Sequence, residues 1–252
     1  MRLGIQKIVA AGLLGICGQL VSAGESVTYT VDGLEYEGYY AAPAKSHGLI
    51  LLIHDWDGLT GYEEQRAEML ADMGYSVFAA DLFGKGVRPT EVVDKRQHTG
   101  ELYQNREKMR ALMRGAMMTA RELGASGDAV AMGYCFGGAA VLELARSGEA
   151  LNGFVTFHGG LSTPEGQDYS AVAGKVLVYH GTADGAVTME QFASLAEQLE
   201  AARVAHEMVT YSGTPHAFTV FGSPAYREEA DRKSWSSFTG FLNEQFKAEG
   251  EG

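Results

Sequence analysis

The sequence predicts an α/β fold: a mostly parallel central sheet with helices on both faces, preceded by an antiparallel hairpin. Three observations predict it. Short apolar runs recur along the chain, helix-like segments separate them, and the composition suits a large core. Of 252 residues 46% are hydrophobic and 21% charged, with 33 Gly against 5 Pro and 2 Cys. Those values exclude a disordered, collagenous or disulfide-stapled chain. Lys and Arg total 20 against 32 acids, a net charge of −12, so no basic face for nucleic acid is expected. The chain has no internal repeat and no Pro-rich linker, and residues 24–252 read as one domain.

Residues 1–23 read as an export signal. Arg2 and Lys7 supply a positive start, Ile8 to Val21 an apolar stretch, and Val21-Ser22-Ala23 the small residues before a cut at Gly24. The apolar stretch is shorter than the roughly 20 residues a membrane span needs. The expected mature product is therefore periplasmic or secreted and not membrane-bound. Cleavage removes Cys17 and leaves Cys135 as the only thiol, so no internal disulfide is available.

The alternating segments Val27 to Val31 and Leu34 to Tyr40 flank Asp32-Gly33, a hairpin signature. Gly48 to His54 is a continuous apolar run, as a strand covered on both faces requires. Ala67, Leu70 and Met73 give helical spacing to Tyr62–Gly74, and Tyr75–Asp81 is a second buried strand. A loop with Gly84, Gly86 and Pro89 follows, then one long helix from about Glu101 to Leu123. Further strands are expected at Ala129–Gly133, Gly153–Phe157, Lys175–His180 and His206–Tyr211. Helices are expected at Gly137–Arg146, Met189–Ala202 and about Pro224–Phe246. In the last of these Tyr226, Arg227, Asp231, Arg232 and Trp235 read as packing and surface ion pairs. Strands alternating with helices make a parallel sheet, with reactive residues in loops at the strands' carboxyl ends.

Gly133-Tyr134-Cys135-Phe136-Gly137-Gly138 lies where a strand meets a helix. This is the G-x-S-x-G nucleophile elbow with Cys in place of Ser, a pattern expected by composition on the order of 0.03 times. A lone Cys is also a common small core residue, but the glycines around it favour the reactive reading. A thiolate needs a base and a positive setting. The helix from Phe136 offers its dipole. His216, in the loop after the His206–Tyr211 strand, is the candidate base, and Asp184, after the Lys175–His180 strand, the residue that orients it. Either alone has a bland reading as a loop or turn residue; together they follow the nucleophile, acid, His order. Backbone N–H groups of Phe136 and Trp56 are the candidate oxyanion donors. Asp55, in the same loop as Trp56, is a candidate to restrain the thiol.

These residues resemble the dienelactone hydrolase family. The likeness rests on Cys135 in Gly-Tyr-Cys-Phe-Gly-Gly, Asp184 after a Tyr-His-Gly strand end, and His216 in Pro-His-Ala-Phe. It extends to Asp81-Leu82-Phe83-Gly84 and Phe157-His158-Gly159-Gly160, and runs from about Gly48 to Phe246. The resemblance implies an α/β-hydrolase fold, a Cys-His-Asp triad, and opening of an enol lactone of the carboxymethylenebutenolide type. It places Asp55 where the founding enzymes carry a Glu that gates the nucleophile. It places Val220 where they carry a carboxylate-binding Arg, so that Arg106 and Arg110 become the candidates for substrate binding.

The expected function is cofactor-independent hydrolysis of a lactone or small carboxylic ester. A thiolate is a better leaving group than an alkoxide, which favours enol lactones and activated esters. A generalist exported carboxylesterase, a non-catalytic binding protein and a thiol redox sensor are the alternatives. His54, His158 and His180 stand at strand ends but lack the spacing of a metal site, and no dinucleotide or P-loop motif occurs.

Overall fold

The computed structural model describes residues 24–246. The chain opens with β1 (Glu25–Val31) and β2 (Leu34–Ala41), an antiparallel pair. Asp32 and Gly33 both adopt positive φ, 49° and 79°, as the turn between two right-twisted strands demands. The core strands are β3 (Leu49–Ile53), β4 (Ser76–Ala80), β5 (Ala129–Tyr134), β6 (Gly153–Phe157), β7 (Lys175–Gly181) and β8 (His206–Tyr211). The sheet order is β1-β2-β4-β3-β5-β6-β7-β8; β3 to β8 are mutually parallel, and β2 joins β4 antiparallel.

The period-two geometry of a strand divides the apolar runs between two cores. Leu49, Leu51 and Ile53 face one side, with Leu112, Met113 and Ala116 of α3 (Arg106–Glu122), Val141 and Leu144 of α4 (Phe136–Arg146), and Leu195 and Leu199 of α5 (Met189–Ala201). Ile50 and Leu52 face the other side, with Ala67 and Leu70 of α1 (Gly61–Asp72) and Phe238, Phe241 and Leu242 of α6 (Glu228–Gln245). Thr60 and Glu63 form a capping box that starts α1.

Three expectations need correction. The single helix from Glu101 is two helices, α2 (Val92–Gln104) and α3, because Asn105 leaves helical geometry at φ −121°, ψ 76°. Its side chain accepts a hydrogen bond from Lys108 N and restarts the helix as a cap. The last helix begins at Glu228 rather than near Pro224, because Arg227 N instead bonds Phe218 O in the preceding loop. Asp231 is not on the surface; it is buried and paired with the equally buried Arg66, which ties α6 to α1. The export signal expected over residues 1–23 lies outside the described residues.

The strand order decides where a site can form. From β3 the sheet grows through β4 on one side and through β5 on the other, so the loops leaving β3 and β5 part and open a crevice at their carboxyl ends. Trp56 follows β3 and Cys135 follows β5. No helix among the described residues is long and apolar enough to cross a membrane.

Candidate active site

Cys135 sits between β5 and α4 with φ 51° and ψ −111°, a left-handed conformation that non-glycine residues seldom adopt. Its backbone is held on both sides, since Cys135 N donates to Phe157 O at 3.1 Å and Cys135 O accepts from Gly160 N at 3.3 Å. The two glycines predicted to permit the turn do so for a steric reason. A Cβ on Gly133 would overlap the Gly137 carbonyl, and one on Gly137 would overlap the carbonyl oxygens of Ile53 and His54. The thiol is half-buried at the first turn of α4.

His216 and Asp184 reach it from the next strand ends. His216 Nε2 lies 3.2 Å from Cys135 Sγ, and His216 Nδ1 lies 2.7 Å from Asp184 Oδ2. The other carboxylate oxygen accepts hydrogen bonds from Ala186 N at 2.8 Å and Val187 N at 2.9 Å. Burial alone would lower the imidazole pKa, but the Asp184 hydrogen bond and the Cys135 sulfur outweigh it and raise His216 to about 10. Burial of Asp184 is likewise outweighed by His216 and the two amides, which hold it below the usual carboxylate range. The arrangement can store a proton on His216 and a negative charge on sulfur.

A cavity of about 190 Å3 opens onto the sulfur. Trp56, Tyr103, Phe136 and Val187 line it together with Thr99, Gly160 and Ala186, beside Cys135 and His216. Phe136 is the first residue of α4, so its N–H has no acceptor within the helix. Trp56 borders the same cavity. Tyr103 and Thr99 belong to the C-terminal half of α2, ahead of the Asn105 break. Their periodicity carries no chemical signal, and only the folded chain brings them to the thiol.

Behind His216 lies a second buried histidine. His158, at φ 42° and fully buried, packs its ring edge-on against His216 with centroids 5.2 Å apart. Its Nε2 meets Thr219 Oγ1 at 2.8 Å, and that hydroxyl meets Tyr62 OH at 2.7 Å. Arg66 Nη2 donates to Thr219 O at 2.9 Å, fixing the loop that carries His216. Burial and the neighbouring His216 push His158 well below its ordinary pKa, so it packs as a neutral ring. His54 accepts from Leu82 N at 3.1 Å, and His180 stacks on Phe192.

The remaining predicted residues go elsewhere. Asp55 is buried, and its Oδ1 accepts from Asp57 N at 3.0 Å, while its own N–H donates to Glu63 Oε1. Its hydrogen bonds do not reach the thiol. Burial, then Asp57 and Glu63, push its carboxyl up to about 9. Arg106 and Arg110 do not line the cavity. Both turn to Glu143 of α4, which is fully buried: Arg106 Nη1 donates at 3.0 Å and Arg110 Nε at 2.8 Å, with Arg146 Nη2 at 2.9 Å. A buried carboxylate demands such partners, and both arginines face it rather than the cavity.

An eight-stranded, mostly parallel sheet with a nucleophile-elbow turn at the end of β5 defines an α/β hydrolase. The dienelactone hydrolase family model matches residues 36–246, and the chain belongs to that family, whose members are hydrolases of ester bonds. A Salmonella typhimurium protein named "Putative carboxymethylenebutenolidase" is 23% identical over 81% of each chain. Among solved structures, m3DLH is 29% identical with a TM-score of 0.83, covering 89% of this chain and 98% of its own. The dienelactone hydrolase-like promiscuous phosphotriesterase P91, from metagenomic libraries, is 27% identical with a TM-score of 0.80, covering 88% and 98%.

Proposed function

We propose that the protein is an exported, cofactor-independent hydrolase that opens a lactone or small carboxylic ester through a Cys135-His216-Asp184 triad. The observation that carries this reading is the unbroken contact from Cys135 Sγ through His216 to Asp184 Oδ2, at 3.2 and 2.7 Å. The Cys135 thiolate attacks the acyl carbon, and the N–H groups of Phe136 and Trp56 receive the developing oxyanion. The tetrahedral adduct collapses to a thioester; the leaving alkoxide or enolate takes the proton from the His216 imidazolium. Water then adds to the thioester, His216 accepts its proton, and the thiolate departs to leave a carboxylic acid. Asp184 keeps the imidazole in the required tautomer throughout. The export signal over residues 1–23, followed by one hydrolase domain over 24–252, completes the reading.

Enol lactones rank first because their opened product tautomerises to a ketone, which prevents the better-leaving thiolate from reversing the step. The likeness to P91 favours a second reading, slow attack on a neutral phosphotriester. The deciding experiment presents an enol lactone, an aryl ester, an alkyl ester and an aryl dialkyl phosphate to the mature protein and to Cys135→Ala. Lactone or ester turnover that falls at least about 1,000-fold in the variant is expected, since a covalent nucleophile acts as a unit with its base. Undiminished turnover in a folded Cys135→Ala protein removes the nucleophile assignment.

A further inference from the structure

We infer that the acyl pocket beside Cys135 selects uncharged substrates, an ester or lactone whose acyl part is one ring or a short chain, and discriminates against those carrying a carboxylate. The inference deepens the hydrolase reading and rests on it for the word substrate; the charge preference of the cavity stands on the structure alone.

The first ground is the lining. Trp56, Tyr103, Phe136 and Val187 form an apolar wall, and His216 is the one lining residue able to carry positive charge. Its charge is matched by Asp184 on one nitrogen and by the sulfur on the other. With a thiolate at Cys135 the three groups together are net negative. The second ground is the state of the nearby cations. Arg106, whose guanidinium lies 5.6 Å from the centre of the Tyr103 ring, and Arg110 both turn to buried Glu143 together with Arg146, and neither lines the cavity. Lys95, whose ammonium lies 5.2 Å from the centre of the Trp56 ring, is paired with Asp57 at 3.3 Å. A substrate carboxylate entering this cavity would lose part of its water and meet no cationic lining residue except His216, whose charge Asp184 and the sulfur already match, a cost in a largely apolar site. The negative balance of the whole chain, −12, opposes its approach as well. The third ground is size. A volume of about 190 Å3 is close to the roughly 150 Å3 apolar cavity that holds one benzene molecule.

Two measurements on the mature protein test this. The first compares the alkylation rate of Cys135 by iodoacetamide with that by iodoacetate, each normalised to a free thiol such as N-acetylcysteine at the same pH and salt. The two reagents differ by a neutral amide against a carboxylate and require no turnover. The inference predicts a normalised preference of at least about 10-fold for iodoacetamide, consistent with an uncompensated buried charge. A ratio at or below one overturns it. Tyr103, 37% exposed on the wall, provides the second variant. Tyr103→Lys is expected to shift the ratio several-fold toward iodoacetate; an unchanged ratio would mean that the wall's charge does not control access, and would overturn the inference. A variant that is merely disordered would bring both normalised rates to the free-thiol value, and loss of its cooperative thermal melt identifies that case.

The second measurement compares kcat/KM for an aryl ester of a short neutral acid with that for the aryl ester of a dicarboxylic half-acid of equal length. The neutral ester should be favoured at least about 30-fold, and equal or reversed preference overturns the inference. Turnover that survives Cys135→Ala would instead remove the triad reading, leaving the alkylation ratio to decide the charge preference by itself.

Discussion

Cys135 is held in a conformation that its own side chain disfavours. Positive φ at a non-glycine residue is costly, on the order of 1–3 kcal/mol, and survives here because the flanking hydrogen bonds to Phe157 and Gly160 leave the turn no alternative. Gly137 is the more exacting partner, since the obstacle to a side chain there is the backbone of β3 and the residue after it, which cannot rotate away. Gly137→Ala is therefore expected to destabilise the protein by at least about 2 kcal/mol, at the upper side of overpacking costs, and to lower the reactivity of Cys135 by displacing α4. A thermal melt and a thiol-alkylation rate measure the two effects. Retention of both would show that β3 and α4 can separate at no cost.

The helices owe their positions to a small number of buried charges as well as to apolar packing. Glu143 gathers Arg106 and Arg110 from α3 and Arg146 from its own helix, and Arg146 in turn reaches Gln167 Oε1 at 2.7 Å and Tyr169 OH at 2.7 Å. This cluster fixes α3 across α4 on the face of the sheet that carries the thiol. Breaking a buried pair by deleting one partner costs about 3–5 kcal/mol. Glu143→Ala should lower the unfolding free energy by roughly 3 kcal/mol in urea titration, because Arg146 has no route to water whereas the other two arginines are partly exposed. A loss under about 1 kcal/mol would mean that all three arginines find solvent. Arg66 and Asp231 serve the opposite face in the same way, and the hydrogen bond from Arg66 to Thr219 O transmits the order of α1 and α6 to the His216 loop.

The buried carboxyls and the imidazole give the whole molecule a defined pH response. Burial, then Asp57 and Glu63, raise Asp55 from 3.8 to about 9, and burial raises Glu63 from 4.5 to about 7. His216 is raised from 6.5 to about 10 against its own burial. In each case the folded state binds the proton more tightly than the unfolded chain, so the contribution is complete below the unfolded pKa and is lost as pH rises through the folded one. Asp184, depressed, has the opposite sign and protects only above its own titration. The melting temperature is expected to fall as pH rises from about 6 to about 9.5, and Asp55→Asn to flatten that decline, because an amide has no proton to lose. A slope unchanged in Asp55→Asn would assign the alkaline loss to other groups.

The core strands were legible in the sequence because a strand covered on both faces must be apolar at every position, a local requirement that Leu49–Ile53 and its counterparts state openly. The elbow was legible for the same kind of reason: glycines two residues either side of Cys135 are dictated by close approach of one short segment to another. Membership of the family and the order Cys135, Asp184, His216 followed from such local patterns. The break at Asn105 was not legible, because a single capping residue inside a continuous helical periodicity alters the dihedrals without altering the pattern. Nor was the disposition of the arginines. Arg106 and Arg110 have the same sequence signature whether they face substrate or a buried acid, and the choice was made by Glu143, more than thirty residues along the chain. The sequence by itself picked out Cys135, Asp184 and His216, which the fold brings into contact, and the kind of sheet on which they stand. The tertiary structure alone decided which charges remain for a substrate, because that depends on which ionic groups burial has already forced together.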